Sequence, residues 1–196
     1  YMHEHMGWHH FLGARDPNPN HPDDPLTQIY NGLDYSSYEH HRPSYDDYVR
    51  VLNVRTHKPV FSEDRFRIRQ PSKYPEKDYT ELLTRRGLWD STMAGGVANI
   101  WGNLVGARGD GSEPYPHKEW IKTWSVFFKH RFLKQMVRDN SITNGVCLKD
   151  PAQNHFVFYK EDAEAIQMDL SGMNAPLQAV AVDAAKAYEE VDIGVL

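Results

Sequence analysis

Segments of strand character and segments of helix character alternate over the first 137 residues, and this alternation constrains the fold more than any other feature of the sequence. Apolar and aromatic stretches predict strands at 7–15, 33–40, 58–63 and 97–102. Helical spacing of apolar residues predicts helices at 42–56, 78–93 and 117–137. The pattern favours a parallel sheet with crossover helices, which leaves two architectures: an open doubly wound sheet or part of a (β/α)8 barrel.

The residues near the strand ends favour the barrel. No glycine-rich phosphate-binding fingerprint follows any predicted strand, which weakens the nucleotide-binding open sheet. Polar and aromatic residues instead collect near the carboxyl ends of the strands, where barrel enzymes hold their active sites. A complete barrel needs about 250 residues, so residues 1–139 are predicted to form the C-terminal half of one. The residues near the strand ends are His9, His10, Arg15, Tyr38, Glu39, His40, Glu63, Arg65 and Trp101.

A second pattern begins at about residue 140. Four short segments with alternating apolar residues are separated by turn residues, and no helix signal intervenes. Residues 140–196 are therefore predicted to form a small antiparallel β domain, with strands at 145–149, 155–160, 164–170 and 178–185. The sequence ends within a further strand-like segment and starts without an initiator methionine, so we expect a fragment or a processed chain.

Local signals mark the helix ends and the packing residues. Ser44 with Asp47, and Asp78 with Glu81, have the spacing of an N-cap and its partner three residues later. The pair Gly95-Gly96 is expected to end the second helix. Three tryptophans fall on helical faces and are expected to be packing residues: Trp89, Trp120 and Trp124.

Composition excludes some functions. A formal net charge of −5 argues against a nucleic-acid binder, which normally carries a basic surface. No apolar run approaches the roughly 20 residues of a membrane-spanning helix. The single cysteine, Cys147, lies in an apolar strand-like segment and is expected to be a buried, unreactive thiol.

Glu63 is the strongest catalytic candidate. It comes shortly after the apolar run 59–61, which is typical of a buried parallel strand, so it would lie at the barrel mouth. An ionised carboxylate there can attack an anomeric carbon or stabilise an oxocarbenium ion. Arg65 or Arg67 nearby would lower its pKa and keep it ionised. The alternative is that these charges form an ordinary surface ion-pair cluster.

Other candidates carry weaker signals. Tyr38, Glu39 and His40 could hydrogen-bond sugar hydroxyls, or could simply be loop residues before a helix. Trp101 could stack on a sugar face or pack in the core. Four histidines within residues 3–10 suggest zinc, but zinc needs three or four ligands and no carboxylate or cysteine partner can be identified, so no metal site is predicted.

The stretch "KPVFSEDRFRIR", with the following "YTELLTRRGLWDSTMAGGVANIWGNL", resembles the C-terminal part of clan-A-type (β/α)8 glycoside hydrolases of the cellulase-like and apiosidase-like group. The resemblance covers roughly residues 1–180 and is most specific at 57–104. It implies that the four predicted strands are barrel strands five to eight and that Glu63 is the nucleophile of a retaining enzyme. It also implies an acid/base carboxylate after barrel strand four, which this sequence does not contain.

The sequence therefore predicts a glycoside hydrolase that carries the nucleophile half of a two-carboxylate site. Sugar binding would fall to His9, His10, Arg15, Tyr38, His40, Arg65 and Trp101. The alternative is a non-catalytic carbohydrate-binding or structural protein, and a metal-dependent hydrolase is a weaker third. No cofactor is expected. The expected partners are a carbohydrate and either the missing barrel half or further copies of the chain, because a half barrel has open edges. Export to the periplasm or beyond the cell would suit a polysaccharide hydrolase.

Overall fold

The computed structural model describes residues 12–13, 15–16, 33–38, 42, 44–54, 58–62, 66–99, 104–131 and 135–196, without the side chains at 15–16, 36–38, 54 and 98. A four-stranded sheet is built from β1 (Arg15–Asp16), β2 (Ser36–Tyr38), β3 (Val60–Ser62) and β4 (Ala98–Asn99). The strands lie side by side in chain order, and all three neighbouring pairs run parallel. The described strands are shorter than the segments predicted from sequence.

Helices connect β2 to β3 and β3 to β4. Helix α1 (Tyr45–Val54) begins after Ser44, whose hydroxyl accepts from the Asp47 amide at 3.3 Å, while the Asp47 carboxylate accepts from the Ser44 amide at 2.9 Å. This reciprocal pair confirms the predicted cap. Helix α2 (Glu81–Met93) is capped by Thr80, whose hydroxyl accepts from the Leu83 amide at 3.2 Å. The prediction that Asp78 caps α2 is wrong.

Both connecting helices pack on the same face of the sheet. The β3 residue Val60 is buried with Tyr48 and Val51 of α1 and with Ala94 at the end of α2. Consecutive parallel strands with right-handed crossovers place their helices on one side in this way, as they do around a barrel. The described strands show no reversal of strand order, which a doubly wound sheet has at its centre.

Helix α3 (Lys118–Lys129) follows β4 and is shorter than the predicted 117–137. After it, β5 (Val137–Arg138), β6 (Val146–Lys149) and β7 (Phe156–Tyr159) form an antiparallel sheet in that order. A separate antiparallel pair contains β8 (Gln178–Ala181) and β9 (Val191–Val195). The segment 164–170, predicted as a strand, makes only an isolated bridge between Met168 and Thr143.

The antiparallel sheet packs against α2 and α3. Trp89 of α2 is buried, stacks on Tyr159 of β7 with ring centroids 4.9 Å apart, and also contacts Phe127 and Phe128 of α3. Trp89 is thus a packing residue, as expected. Cys147 of β6 is buried, and burial raises the pKa of its thiol to about 12, so it is an unreactive core thiol as predicted.

Candidate active site at the carboxyl edge of the parallel sheet

The four parallel strands end level with one another. In register, Asp16 pairs with Tyr38, Tyr38 with Ser62, and Ser62 with Asn99, and each is the last residue of its strand. The last residues of the four strands are Asp16, Tyr38, Ser62 and Asn99, and the preceding row is Arg15, Ser37, Phe61 and Ala98. The four carboxyl ends therefore form one level edge of the sheet. Active sites of parallel α/β proteins form at this edge.

Along β3 and β4, successive side chains point to opposite faces of the sheet, and one of these faces packs on the helices. Val60 is buried against both helices, and Ser62, two residues on, is also buried. Asn99, which pairs with Ser62, accepts a hydrogen bond of 2.6 Å from the Ser91 hydroxyl of α2. Phe61 lies on the opposite face, where its ring is 4.7 Å from the ring of Tyr35.

Two loops at this edge share a small core of their own. Ile68, in the loop after β3, forms a parallel bridge to Val105 in the loop after β4, and its amide donates to the Leu104 carbonyl at 3.1 Å. Phe66 and Ile68 are each 1% exposed and pack with Leu88 of α2. The Phe66 ring is accommodated at Gly87, where a Cβ would lie 2.8 Å from its edge. This core holds the two loops in one arrangement.

Asp78 ties the loop between β3 and α2 together instead of capping the helix. One carboxylate oxygen accepts from Arg69, with 2.8 Å to Nε, and the other accepts from Ser72 Oγ and the Tyr74 amide, each at 2.9 Å. Burial alone would raise the pKa of Asp78, but the hydrogen bonds from Arg69, Tyr74 and Ser72 outweigh it and lower the pKa to about 2. Arg42, from the preceding loop, donates to the Asp78 carbonyl at 2.6 Å. Adjacent loops of the edge are thereby joined.

Most residues predicted for the site lie outside the described part of the chain. His9, His10, His40, Glu63, Arg65 and Trp101 are among these. For Arg15 and Tyr38 the structure describes only the backbone, within β1 and β2. Their strands are neighbours and Tyr38 is at the carboxyl edge, paired with Ser62 of β3. Their roles in binding remain predictions.

Arg67, in the loop after β3, has no hydrogen-bond acceptor within the part of the chain that the structure describes. Its Nε is buried and no hydrogen-bond partner for it exists among the described residues. Its side chain lies against Gly109 in the next loop, where a Cβ would be 2.3 Å from Arg67 Cγ and Cδ. From the sequence, Arg67 is predicted only as a charge near Glu63. The alternation in "RFRIR" does not distinguish Arg67, because Arg69 follows the same pattern and is paired with Asp78.

A second charged cluster joins α2 to the end of β7. Glu161 accepts from Arg85 Nη1 at 3.2 Å, from Arg86 Nε at 3.1 Å and from the Tyr159 hydroxyl. Burial and the adjacent Glu161 raise the pKa of Tyr159. Asp90, one helical turn after Arg86, has its pKa raised to about 7 by burial and, to a smaller extent, by Glu161. This cluster links α2 to the antiparallel sheet.

A cavity of roughly 820 Å³ lies beside β7 and the β8–β9 pair. Its lining comes from α2, α3 and the antiparallel strands with their loops, and it includes none of β1 to β4. The cavity is therefore separate from the candidate site. Within the described ranges, no group of three or more His, Cys, Asp or Glu side chains is placed to hold a metal ion. The helices described here include none that is long and apolar enough to cross a membrane.

Comparison with known proteins adds no relative. No protein family matches the chain, no curated protein is significantly similar to it, and no solved structure is significantly similar to its fold. The resemblance to glycoside hydrolases thus stays a prediction from its motifs.

Proposed function

We propose that this chain is the C-terminal half of a retaining glycoside hydrolase acting on a plant or microbial polysaccharide or oligosaccharide, with Glu63 as the nucleophile. The observation that carries the proposal is the level carboxyl edge of four consecutive parallel strands, at which β3 ends with Ser62. Glu63 is the next residue of the chain. Barrel enzymes take their catalytic residues from this position of a strand.

The alternation along β3 supports a role for position 63. Val60 and Ser62 face the helices, and Phe61 faces away from them. If the period of two continues for one more residue, Glu63 shares the face of Phe61. In a barrel that face is the interior, which opens at the mouth where substrate binds.

The remaining predicted residues would act on the sugar. His40 comes two residues after the end of β2, the strand beside β3, and would donate a hydrogen bond to a sugar hydroxyl. Arg65 would lie on the loop after β3, and Trp101 would stack on a sugar face. His9, His10 and Arg15 would complete the rim beside β1. A carboxylic acid outside residues 1–196 would supply the acid/base group about 5–5.5 Å from Glu63, the separation that a retaining mechanism requires.

The test is hydrolysis by the full-length protein and its Glu63→Gln variant. Removing a nucleophilic carboxylate should lower turnover of aryl glycosides about 10³-fold or more, while the fold survives. Glu76→Gln is the matched control, because Glu76 is an exposed glutamate in the loop after the same strand. Near-normal turnover by a folded Glu63→Gln variant would refute the nucleophile.

The alternative is a non-catalytic carbohydrate-binding protein with the same architecture. The sequence favours it in one respect, since only one carboxylate of the expected pair matches the family pattern. Binding of oligosaccharides without hydrolysis by the full-length wild-type protein would select this alternative.

A further inference from the structure

Arg67 differs from Arg69, Arg85 and Arg86 in its ion pairing. Arg69 is paired with Asp78, and Arg85 and Arg86 are both paired with Glu161. Arg67 is partly buried and has no such partner among the described residues, and its buried Nε donates to nothing. A buried donor without an acceptor costs about 1–3 kcal/mol, and more when it is charged. Native structures keep few such groups, so this one calls for an acceptor that the described chain does not supply.

The position of Arg67 is held from three sides. Its neighbours Phe66 and Ile68 are fixed in the small core of the two loops. Its carbonyl accepts from the Tyr79 amide at 2.7 Å. Its aliphatic stem lies on Gly109, whose φ is 61°. Any side chain at position 109 would fill the space that this stem occupies. The guanidinium is therefore placed before any ligand arrives, which reduces the entropy lost on binding.

The location is the carboxyl edge of the parallel sheet. Arg67 follows the end of β3 by five residues and immediately precedes Ile68, which bridges to Val105 of the neighbouring loop. It thus lies on the loop that follows the strand of the proposed nucleophile. Asp110, a described residue of the neighbouring loop, forms no hydrogen bond or ion pair with Arg67, and its carboxylate accepts from the Ser112 amide at 3.1 Å.

We propose that Arg67 binds an oxyanion, a carboxylate or a sulfate ester, carried by the sugar substrate. This inference rests on the proposed function for the identity of the substrate as a sugar. An unpaired guanidinium favours an anion over a hydroxyl, because no carboxylate among the described residues pairs with its charge. Its planar donors match carboxylate and sulfate oxygens in pairs. The substrate would then be an acidic glycan.

The test measures binding to the full-length protein carrying Glu63→Gln, so that turnover does not interfere. Isothermal titration compares three oligosaccharides with the same sugar backbone: the uronate form, its neutral methyl ester and a sulfated form. The uronate or the sulfated form should bind about tenfold or more tightly than the ester, which corresponds to a charge-assisted hydrogen bond. The arm that binds more tightly identifies the anion.

Arg67→Gln should abolish this preference, and Arg67→Lys should retain part of it. Arg108→Gln is the control, because Arg108 is an exposed arginine one residue from Gly109. Equal affinity for charged and neutral forms would overturn the proposal. The proposal would also be overturned if Arg67→Gln kept the preference for charged forms and, in the enzyme with Glu63 intact, shifted the pH profile of hydrolysis. Arg67 would then act on the nucleophile.

Titration with inorganic sulfate separates this inference from the proposed function. Sulfate binding that depends on Arg67, without binding of any oligosaccharide, would support the anion site and contradict the assignment as a glycoside hydrolase. If neither sulfate nor the charged oligosaccharides bind, the anion site is refuted.

Discussion

Replacement of Asp90 by asparagine should stabilise the protein at neutral and alkaline pH. Asp90 lies on α2 and interacts electrostatically with Tyr45 and Asp46 at the start of α1 and with Glu161 beyond β7. Burial, with a smaller contribution from Glu161, raises its pKa to about 7, while Arg86 acts in the opposite direction. No described residue donates a hydrogen bond to its carboxylate, so the ionised form is poorly accommodated.

The magnitude follows from the difference in pKa between the folded and unfolded states. Asp90 titrates near 3.8 when unfolded and at about 7 when folded. Between these values the folded protein binds more protons, so the contribution of Asp90 to stability falls as the pH rises from about 4 to about 7. At about 1.36 kcal/mol per pKa unit, the penalty above pH 7 approaches about 4 kcal/mol. Asparagine cannot ionise, so the variant should be about 2–4 kcal/mol more stable than wild type at pH 8. The two should be nearly equal at pH 4.

The assay is urea unfolding followed by tryptophan fluorescence, because Trp89 is buried one residue from Asp90. Measurements at intervals from pH 4 to pH 8 give the difference in free energy of unfolding between variant and wild type. Glu164→Gln is the control: it removes one carboxylate from an exposed position beyond β7 and should give a flat difference. A difference for Asp90→Asn that is equally flat would refute the reasoning.

Two further predictions concern the loops of the carboxyl edge. Asp78→Asn should lower the free energy of unfolding by about 2–4 kcal/mol at pH 7, because it leaves the buried Arg69 without its counter-ion. Because the folded pKa of Asp78 is lowered to about 2, the difference should shrink as the pH falls from about 4 towards 2, which acid unfolding curves of both proteins would show. Gly109→Ala should lower the free energy of unfolding by about 1–2 kcal/mol, because φ at position 109 is 61° and the added Cβ would collide with the stem of Arg67. Thermal unfolding that is unchanged in this variant would show that Arg67 does not need the space.

Features that depend on near neighbours in the chain were predictable. The Ser44 cap was predicted correctly because its partner, Asp47, is three residues away. Asp78 has the same spacing to Glu81, yet it bonds Arg69, nine residues earlier, and the backbone of its own loop. Competition between a local and a more distant partner cannot be resolved from spacing alone.

The predicted strand at 164–170 failed for a similar reason. Its alternating pattern suits a strand, but Gln167 exchanges hydrogen bonds with Asn144, and the Asp169 amide donates to the Ile142 carbonyl. These bonds tie the segment to the short helical turn at Asn140–Ile142 and give no continuous ladder. A strand needs a neighbouring edge as well as a pattern, and the pattern contains no information about the edge.

From the sequence alone came the order of β1 to β4 and of α1 to α3 and the position of Glu63 directly after an apolar strand, because both depend on short-range periodicity. Only the tertiary structure decided that β1 to β4 are consecutive neighbours with level ends and with α1 and α2 on one face. It also decided which arginines are paired. Arg85 is paired with Glu161, 76 residues away, and Arg67 has no partner among the described residues. Ion pairs form across contacts that the folded chain creates, so spacing in the sequence does not reveal which charge is left for a ligand.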